Sequence, residues 1–207
     1  MKISDIVSGY KDRFLFEEKT GSNLVAGIDE VGRGALAGPV VSAAVILNRQ
    51  VDIPLLFDSK QLSQKNREML YQEIVESALS WNVAIVDAEI VDEIDVYRAS
   101  KKAMLEAMNG LSTRPEYLLI DAMEIDTDIP QEKIIKGDTQ SNSIAAASIV
   151  AKVTRDKIMS EFAEVYPEYG FLKNVGYGTK THLEALQKYG PTPIHRKTFA
   201  PVKNLQS

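Results

Sequence analysis

The segment Gly27-Ile-Asp-Glu-Val-Gly-Arg-Gly34 constrains this chain more than any other. An apolar run, residues 24–28, ends in two adjacent carboxylates and then in a turn punctuated by glycine. Bounded by Gly21 on its other side, the run reads as a buried strand. Residues 117–120, Tyr-Leu-Leu-Ile, repeat the arrangement ahead of Asp121. Desolvating a carboxylate at the end of such a strand costs roughly several kcal/mol unless a cation or hydrogen bonds compensate. Side by side, the two strand ends would bring three acids together, and a bound divalent cation is the usual relief of their repulsion. Hard oxygen ligands select Mg²⁺ or Mn²⁺. The simpler alternative is that each acid only opens the turn after its strand. Alternation also raises an objection, because neighbouring residues of a strand point to opposite faces. Asp29 and Glu30 share a site only if the chain leaves strand geometry there, a departure that Gly32 and Gly34 permit.

The same turn contains a decoy. Gly32-Arg-Gly-Ala-Leu-Ala37 matches the dinucleotide fingerprint G-x-G-x-x-A directly after a strand, but that motif requires a helix to follow. Gly38-Pro39 interrupts the chain instead, and residues 40–47 read as a second strand, so no dinucleotide cofactor is expected. What remains is a hairpin whose exposed backbone groups can meet a ribose hydroxyl or a phosphate.

Elsewhere the periodicity predicts a small N-terminal helix over residues 5–18 and a helix capped by Ser63, with Leu70, Ile74, Val75 and Ala78 on one face. It predicts strands at 81–86, 117–120 and 133–136, and a helix from Asp92 to about residue 108. A long helix follows over 141–166. Its small residues, Ala145, Ala146, Ala147, Ser148 and Ala151, let it lie close to a sheet. A last helix over 179–189 is stopped by Gly190 and Pro191. Asp138, just ahead of the long helix, reads on its own as an N-cap. Strands come first and later alternate with helices, which indicates an α/β layered domain with a mixed sheet. No repeat or linker divides residues 1–207, so one domain is expected.

A net charge of −5 argues at first against a nucleic-acid partner. The distribution matters more than the sum. Residues 171–207 carry six Lys/Arg against the single acid Glu184, a net of +5 that leaves −10 on the remainder. A basic end on an acidic body permits a phosphate-contacting face. The absence of cysteine excludes disulfides and thiolate metal sites. No window reads as a membrane span or signal peptide, and a cytoplasmic location is expected. His182 and His195 are too far apart in sequence for an H-x₃₋₅-H zinc pair.

Residues 27–40 closely resemble the opening motif of the type 2 ribonuclease H family (ribonuclease HII). Further matches follow in order: Asp58-Ser-Lys-Gln-Leu62, Leu118-Leu-Ile-Asp121, Lys136-Gly-Asp138, the stretch 143–152, Asp156, Gly176-Tyr-Gly-Thr179, His182, Gly190-Pro191 and His195-Arg196. In Lys197-Thr-Phe199 a Thr stands where Ser is expected. The resemblance implies a ribonuclease H-like α/β fold, a mixed five-stranded sheet flanked by helices, with a basic helical C-terminal part from about residue 171. It implies a two-metal Mg²⁺ or Mn²⁺ site held by Asp29, Glu30, Asp121 and Asp138. It further implies that Gly32, Arg33 and Gly34 read a 2′-OH, that Tyr177 packs on a sugar at the RNA–DNA junction, and that Lys60 lies near a backbone phosphate. The expected partner is an RNA/DNA hybrid or a DNA duplex containing ribonucleotides. A monomer is expected, and residues 201–207 show no clamp-binding motif. With about 23 residues before the first strand, the additional N-terminal domain of type 3 enzymes is not expected.

Overall fold

Two strands, β1 (Val25–Val31) and β2 (Val40–Ile46), pair antiparallel around the turn at residues 32–39, with Ala26 opposite Ile46 and Val31 opposite Val41. The computed structural model describes residues 14–53, 56 and 63–205. In it β3 (Ser80–Val86) extends the hairpin antiparallel. On the other side of β1, β4 (Tyr117–Asp121) and β5 (Gln131–Ile134) add in parallel, completing a five-stranded sheet of order β3-β2-β1-β4-β5. The mixed sheet expected from the sequence is present.

Every residue of β2 is buried because helices cover both faces of the sheet. On one face Val41, Ala43 and Val45 pack against Leu70 and Ile74 of α2 (Gln64–Ser77) and against the small residues of α5 (Asn142–Val165). On the other face Ala26, Ile28, Ala44 and Ile46 meet Met104, Ala107 and Met108 of α4 (Val96–Asn109), beside α3 (Ala88–Ile94). The C-terminal helices α6 (Phe171–Asn174), α7 (Lys180–Tyr189) and α8 (Ala200–Lys203) build a separate core. Their Phe171, Leu186 and Val202 enclose Leu36 and Ala37 of the glycine turn and Met159 of α5. The turn is thus seated on the C-terminal part, with its own apolar residues as the anchor.

Close approach of α5 to β1 explains two sequence features together. A Cβ on Gly27 would lie 2.0 Å from the carbonyl carbon of Ser143, so only glycine fits beneath the helix. The alanines of α5 supply the complementary low profile. The N-terminus of α5 is held by Ser141, whose Oγ accepts from Ile144 N–H at 3.2 Å. The short helix α1 (Leu15–Lys19) adds a buried carboxylate, Glu17. It accepts from Ser141 Oγ at 2.7 Å and from Ser143 N–H at 3.0 Å, placing negative charge at the positive end of the helix.

Several expectations are corrected. The helix predicted from Asp92 is two helices, broken at Asp95, whose φ of 72° interrupts the run and whose carboxylate caps α4 through Tyr97 N–H (2.8 Å) and Arg98 N–H (2.9 Å). Asp92 itself accepts from Lys197 N–H, Thr198 N–H and Thr198 Oγ, so it tethers the C-terminal segment. The fifth strand is Gln131–Ile134 rather than 133–136, because Lys136 turns into the left-handed region at φ 56°. Most of the predicted N-terminal helix lies outside the described residues, where only Leu15–Lys19 is helical. Ser63 caps the start of its helix as predicted, and the last helix runs from its N-cap Thr179 to its stop at Gly190.

Candidate active site

The two acidic strand ends are neighbours. Pairing between β1 and β4 runs from Val25–Tyr117 to Ile28–Ile120 and stops there, while β1 continues against β2 as far as Val31. The expectation that the chain must leave strand geometry at Asp29 and Glu30 is corrected: both lie within β1, opposite Ala43 and Ser42 of β2, and it is the pairing with β4 that ends at Ile28. Asp29, Glu30 and Asp121 border the opening left between the strands. A pocket of about 450 Å³ there is lined by Asp29, Glu30, Val31, Arg67, Asp121, Ser148, Lys152 and Tyr177.

Burial dominates the electrostatics. Asp29 is 7% exposed, and desolvation raises its carboxyl well above the usual range, with repulsion from Glu30 and Asp121 adding to the effect. A hydrogen bond from Ser148 on α5 and one from the Glu30 N–H at 2.7 Å oppose the rise. Glu30 is pushed up to about 7, again mainly by burial, although its Oε1 pairs with Arg33 Nη1 at 3.2 Å. Its other oxygen, Oε2, is buried with no hydrogen-bond partner among the described residues. Asp121 Oδ1 accepts from Gly137 N–H at 2.7 Å.

That bond ties β4 to the 3₁₀ turn Gly137–Thr139, which carries Asp138. Asp138 is 2% exposed and is not the helix N-cap, since Ser141 fills that position. It is buried beside Asp121's anchor but does not line the pocket. Among the described residues no group of three acidic or histidine side chains is gathered tightly enough to chelate an ion as it stands. The residues nonetheless fit a hard divalent cation: the donors are all carboxylate oxygens, and Glu30 Oε2 is an orphaned buried acceptor.

The glycine turn and Tyr177 flank this pocket as one assembly. Leu36 N–H donates to Gly176 O at 2.8 Å, and Gly38 N–H to Ile194 O at 2.8 Å. Two arginines complete the joint. Arg155, fully buried on α5, donates to Pro39 O (2.9 Å), Ala37 O (3.1 Å) and Val175 O (2.7 Å). Arg196, equally buried, donates to Arg33 O (2.8 Å) and Gly38 O (2.9 Å). Gly32 has φ +94°, and a Cβ there would lie 2.3 Å from Arg155 Nε, so the clamp itself demands glycine. Arg33 and Gly34 remain exposed at the tip, and a Cβ on Gly34 would point at Tyr177 Cε1, 3.8 Å away. Lys60 lies outside the described residues.

The sequence reading missed Arg67, Ser148 and Lys152 in the pocket and the clamping role of Arg155. A signal for Arg155 exists: it continues the buried stripe Ala147, Ala151, Arg155, Met159 at four-residue spacing along α5.

Residues 26–202 match the family model for ribonuclease HII. The ribonuclease HII of Leuconostoc mesenteroides is 60% identical over 185 residues, covering 89% of this chain and 73% of that one. Among solved structures, the ribonuclease H2 from Pyrococcus horikoshii OT3 superposes with a TM-score of 0.76 at 25% identity, covering 88% of this chain and 96% of its own. Bst-RNase HIII in complex with Mn²⁺ shares the fold, with a TM-score of 0.72 at 20% identity over 93% of this chain and 72% of its own. The acidic strand ends, the clamped glycine turn and the family match over most of the chain agree: this chain belongs to the ribonuclease HII family.

Proposed function

We propose that the acidic pocket hydrolyses the RNA strand of RNA/DNA hybrids and also cuts DNA duplexes on the 5′ side of an embedded ribonucleotide, leaving 5′-phosphate and 3′-OH ends. The observation that carries this reading is the meeting of three carboxylates, Asp29, Glu30 and Asp121, the first two desolvated, in a pocket that Tyr177 also lines. Hydrolysis of RNA in hybrids accords with membership of the family.

Asp29, Glu30, Asp121 and Asp138 would hold two Mg²⁺ or Mn²⁺ ions. Bst-RNase HIII, of the same fold, has been crystallised with Mn²⁺. Such ions, when bound, activate a water for in-line attack and offset charge on the leaving oxygen. The chain's own groups prepare the donors. Ser148 orients Asp29, Arg33 occupies one oxygen of Glu30 and leaves the other available, and Gly137 N–H fixes Asp121. Arg67 and Lys152 bring positive charge to the pocket lining, where a phosphate would enter. Arg33 and Gly34 would approach the ribose 2′-OH through the backbone, and Tyr177 would lie against the sugar.

The reading is tested with three end-labelled duplexes: one embedded ribonucleotide, a long RNA tract, and DNA throughout. Mg²⁺-dependent cutting of the first two, with a 3′-OH end on the 5′ side of the ribonucleotide, is expected. A 2′,3′-cyclic phosphate product would show that the ribose hydroxyl rather than water attacks, and would overturn the mechanism.

A further inference from the structure

His182 on α7 and His195, just ahead of α8, are fully buried against Tyr169 and Phe171, with their Nε2 atoms 3.0 Å apart. Neither ring lines the acidic pocket. The groups at the two ends of this contact determine where its protons lie. His182 Nδ1 is 2.9 Å from the carbonyl oxygen of Tyr177, which can only accept, so Nδ1 carries the proton. His195 Nδ1 is 2.9 Å from the backbone N–H of Thr192, which can only donate, so that nitrogen presents its lone pair. The Thr192 hydroxyl stands 2.8 Å from the same atom. The proton of His195 is therefore on Nε2 and donates to the bare Nε2 of His182.

The rings are neutral and in opposite tautomers. They form a directed chain from Thr192 through His195 and His182 to the carbonyl of Tyr177. A further proton is poorly placed. On His182 Nε2 it would face another N–H, and on His195 Nδ1 it would face the N–H of Thr192, with the Thr192 hydroxyl as the one acceptor within reach. Burial acts in the same direction, lowering the pKa of both rings, that of His195 to about 4.

The chain ends on a residue that matters. Tyr177 O accepts from both His182 and Thr179 N–H (2.8 Å), so both of its lone pairs are engaged. One residue earlier Gly176 O is held by Leu36 N–H, and Val175 O by Arg155. The Tyr177 backbone is thus fixed from the interior while its ring stands in the pocket lining. We propose that His182 and His195 are positioning residues for Tyr177, a tautomer-locked pair that sets the height of its ring over the cleaved strand. The proposal rests on the reading of Tyr177 as the sugar-contacting residue.

Two measurements test it. Side-chain ¹⁵N NMR of the wild-type protein at pH 7 is expected to show His182 protonated at Nδ1 and His195 at Nε2. The same tautomer in both, or a charged ring, overturns the chain whatever Tyr177 does. In the second, His182→Phe keeps the ring volume and removes the donor. It is expected to lower kcat on a duplex with one ribonucleotide about 10- to 100-fold with KM unchanged, as an ångström-scale misplacement does. On a Tyr177→Ala background the same change should cost nothing further; full additivity overturns the proposal. His195→Gln, which retains a donor toward His182, should keep most of kcat, whereas His195→Leu should lose it. Equal rates for these two variants contradict the proposal even where His182→Phe does not fold. A Tyr177→Ala enzyme with undiminished rate would instead remove the role assigned to Tyr177, and the NMR result would stand.

Discussion

The guanidinium carbon of Arg155 lies 5.7 Å from the centre of the Tyr177 ring, and the same group donates to Val175 O at 2.7 Å. One buried cation thus supports the aromatic ring and the backbone that carries it, while also holding Ala37 O and Pro39 O of the glycine turn. An ammonium cannot reproduce this fork. Arg155→Lys should leave at least one interior carbonyl unbonded, lowering unfolding free energy in urea by about 1–3 kcal/mol. A change of under about 0.5 kcal/mol, typical of an ordinary surface position, would contradict the clamp.

A Cβ on Gly34 would already meet Tyr177 Cε1 at 3.8 Å, so a larger side chain there would intrude on the path proposed for the sugar. Gly34→Leu should fold normally and lose its selectivity for ribonucleotide-containing duplexes over all-DNA duplexes. An unchanged rate ratio would remove the turn from 2′-OH recognition.

Glu30 titrates at about 7, raised mainly by burial, so in the metal-free protein it contributes stability when protonated. That contribution is complete below about 4.5, the ordinary glutamic value, and is lost as pH rises through about 7. At pH 8 in chelator, Glu30→Gln should therefore melt above the wild type. Added Mg²⁺ should raise the Tm of the wild type and leave the variant nearly unmoved. A wild type that melts higher in chelator would contradict the cost of burying the charged Glu30 carboxylate.

His195 has the opposite sign. Burial holds it at about 4, below its ordinary 6.5, so the unfolded chain binds a proton that the folded one refuses. Its contribution is complete above about 6.5 and is lost as pH falls toward 4. The stability advantage of wild type over His195→Gln should therefore shrink between pH 7 and pH 5, read by urea unfolding of both proteins. An advantage that widened toward pH 5 would mean the ring is charged in the fold.

The acids were legible because they break a pattern: a carboxylate ending an apolar strand is costly, and the contrast is visible at Ile28-Asp29 and Ile120-Asp121. The same contrast hid Arg155, since a lone arginine in a helix reads as a solvated position unless its burial stripe is followed. Asp95 was read as helix interior although it is the cap that divides two helices, because the apolar period continues across it. Asp138 reads as a cap from its place before α5, yet three residues of 3₁₀ turn intervene and Ser141 takes that role. How Asp29 and Glu30 share one pocket depends on where β4 stops pairing with β1, a register that no single strand encodes.

Asp29 is proposed to hold metal and not merely to belong to the acidic end of β1. The most direct measurement is cleavage of a duplex with one embedded ribonucleotide by Asp29→Asn in Mg²⁺, alongside the binding affinity for the same duplex. Cutting is expected to be abolished while binding is largely kept. A purified variant retaining even a tenth of the wild-type rate would contradict it.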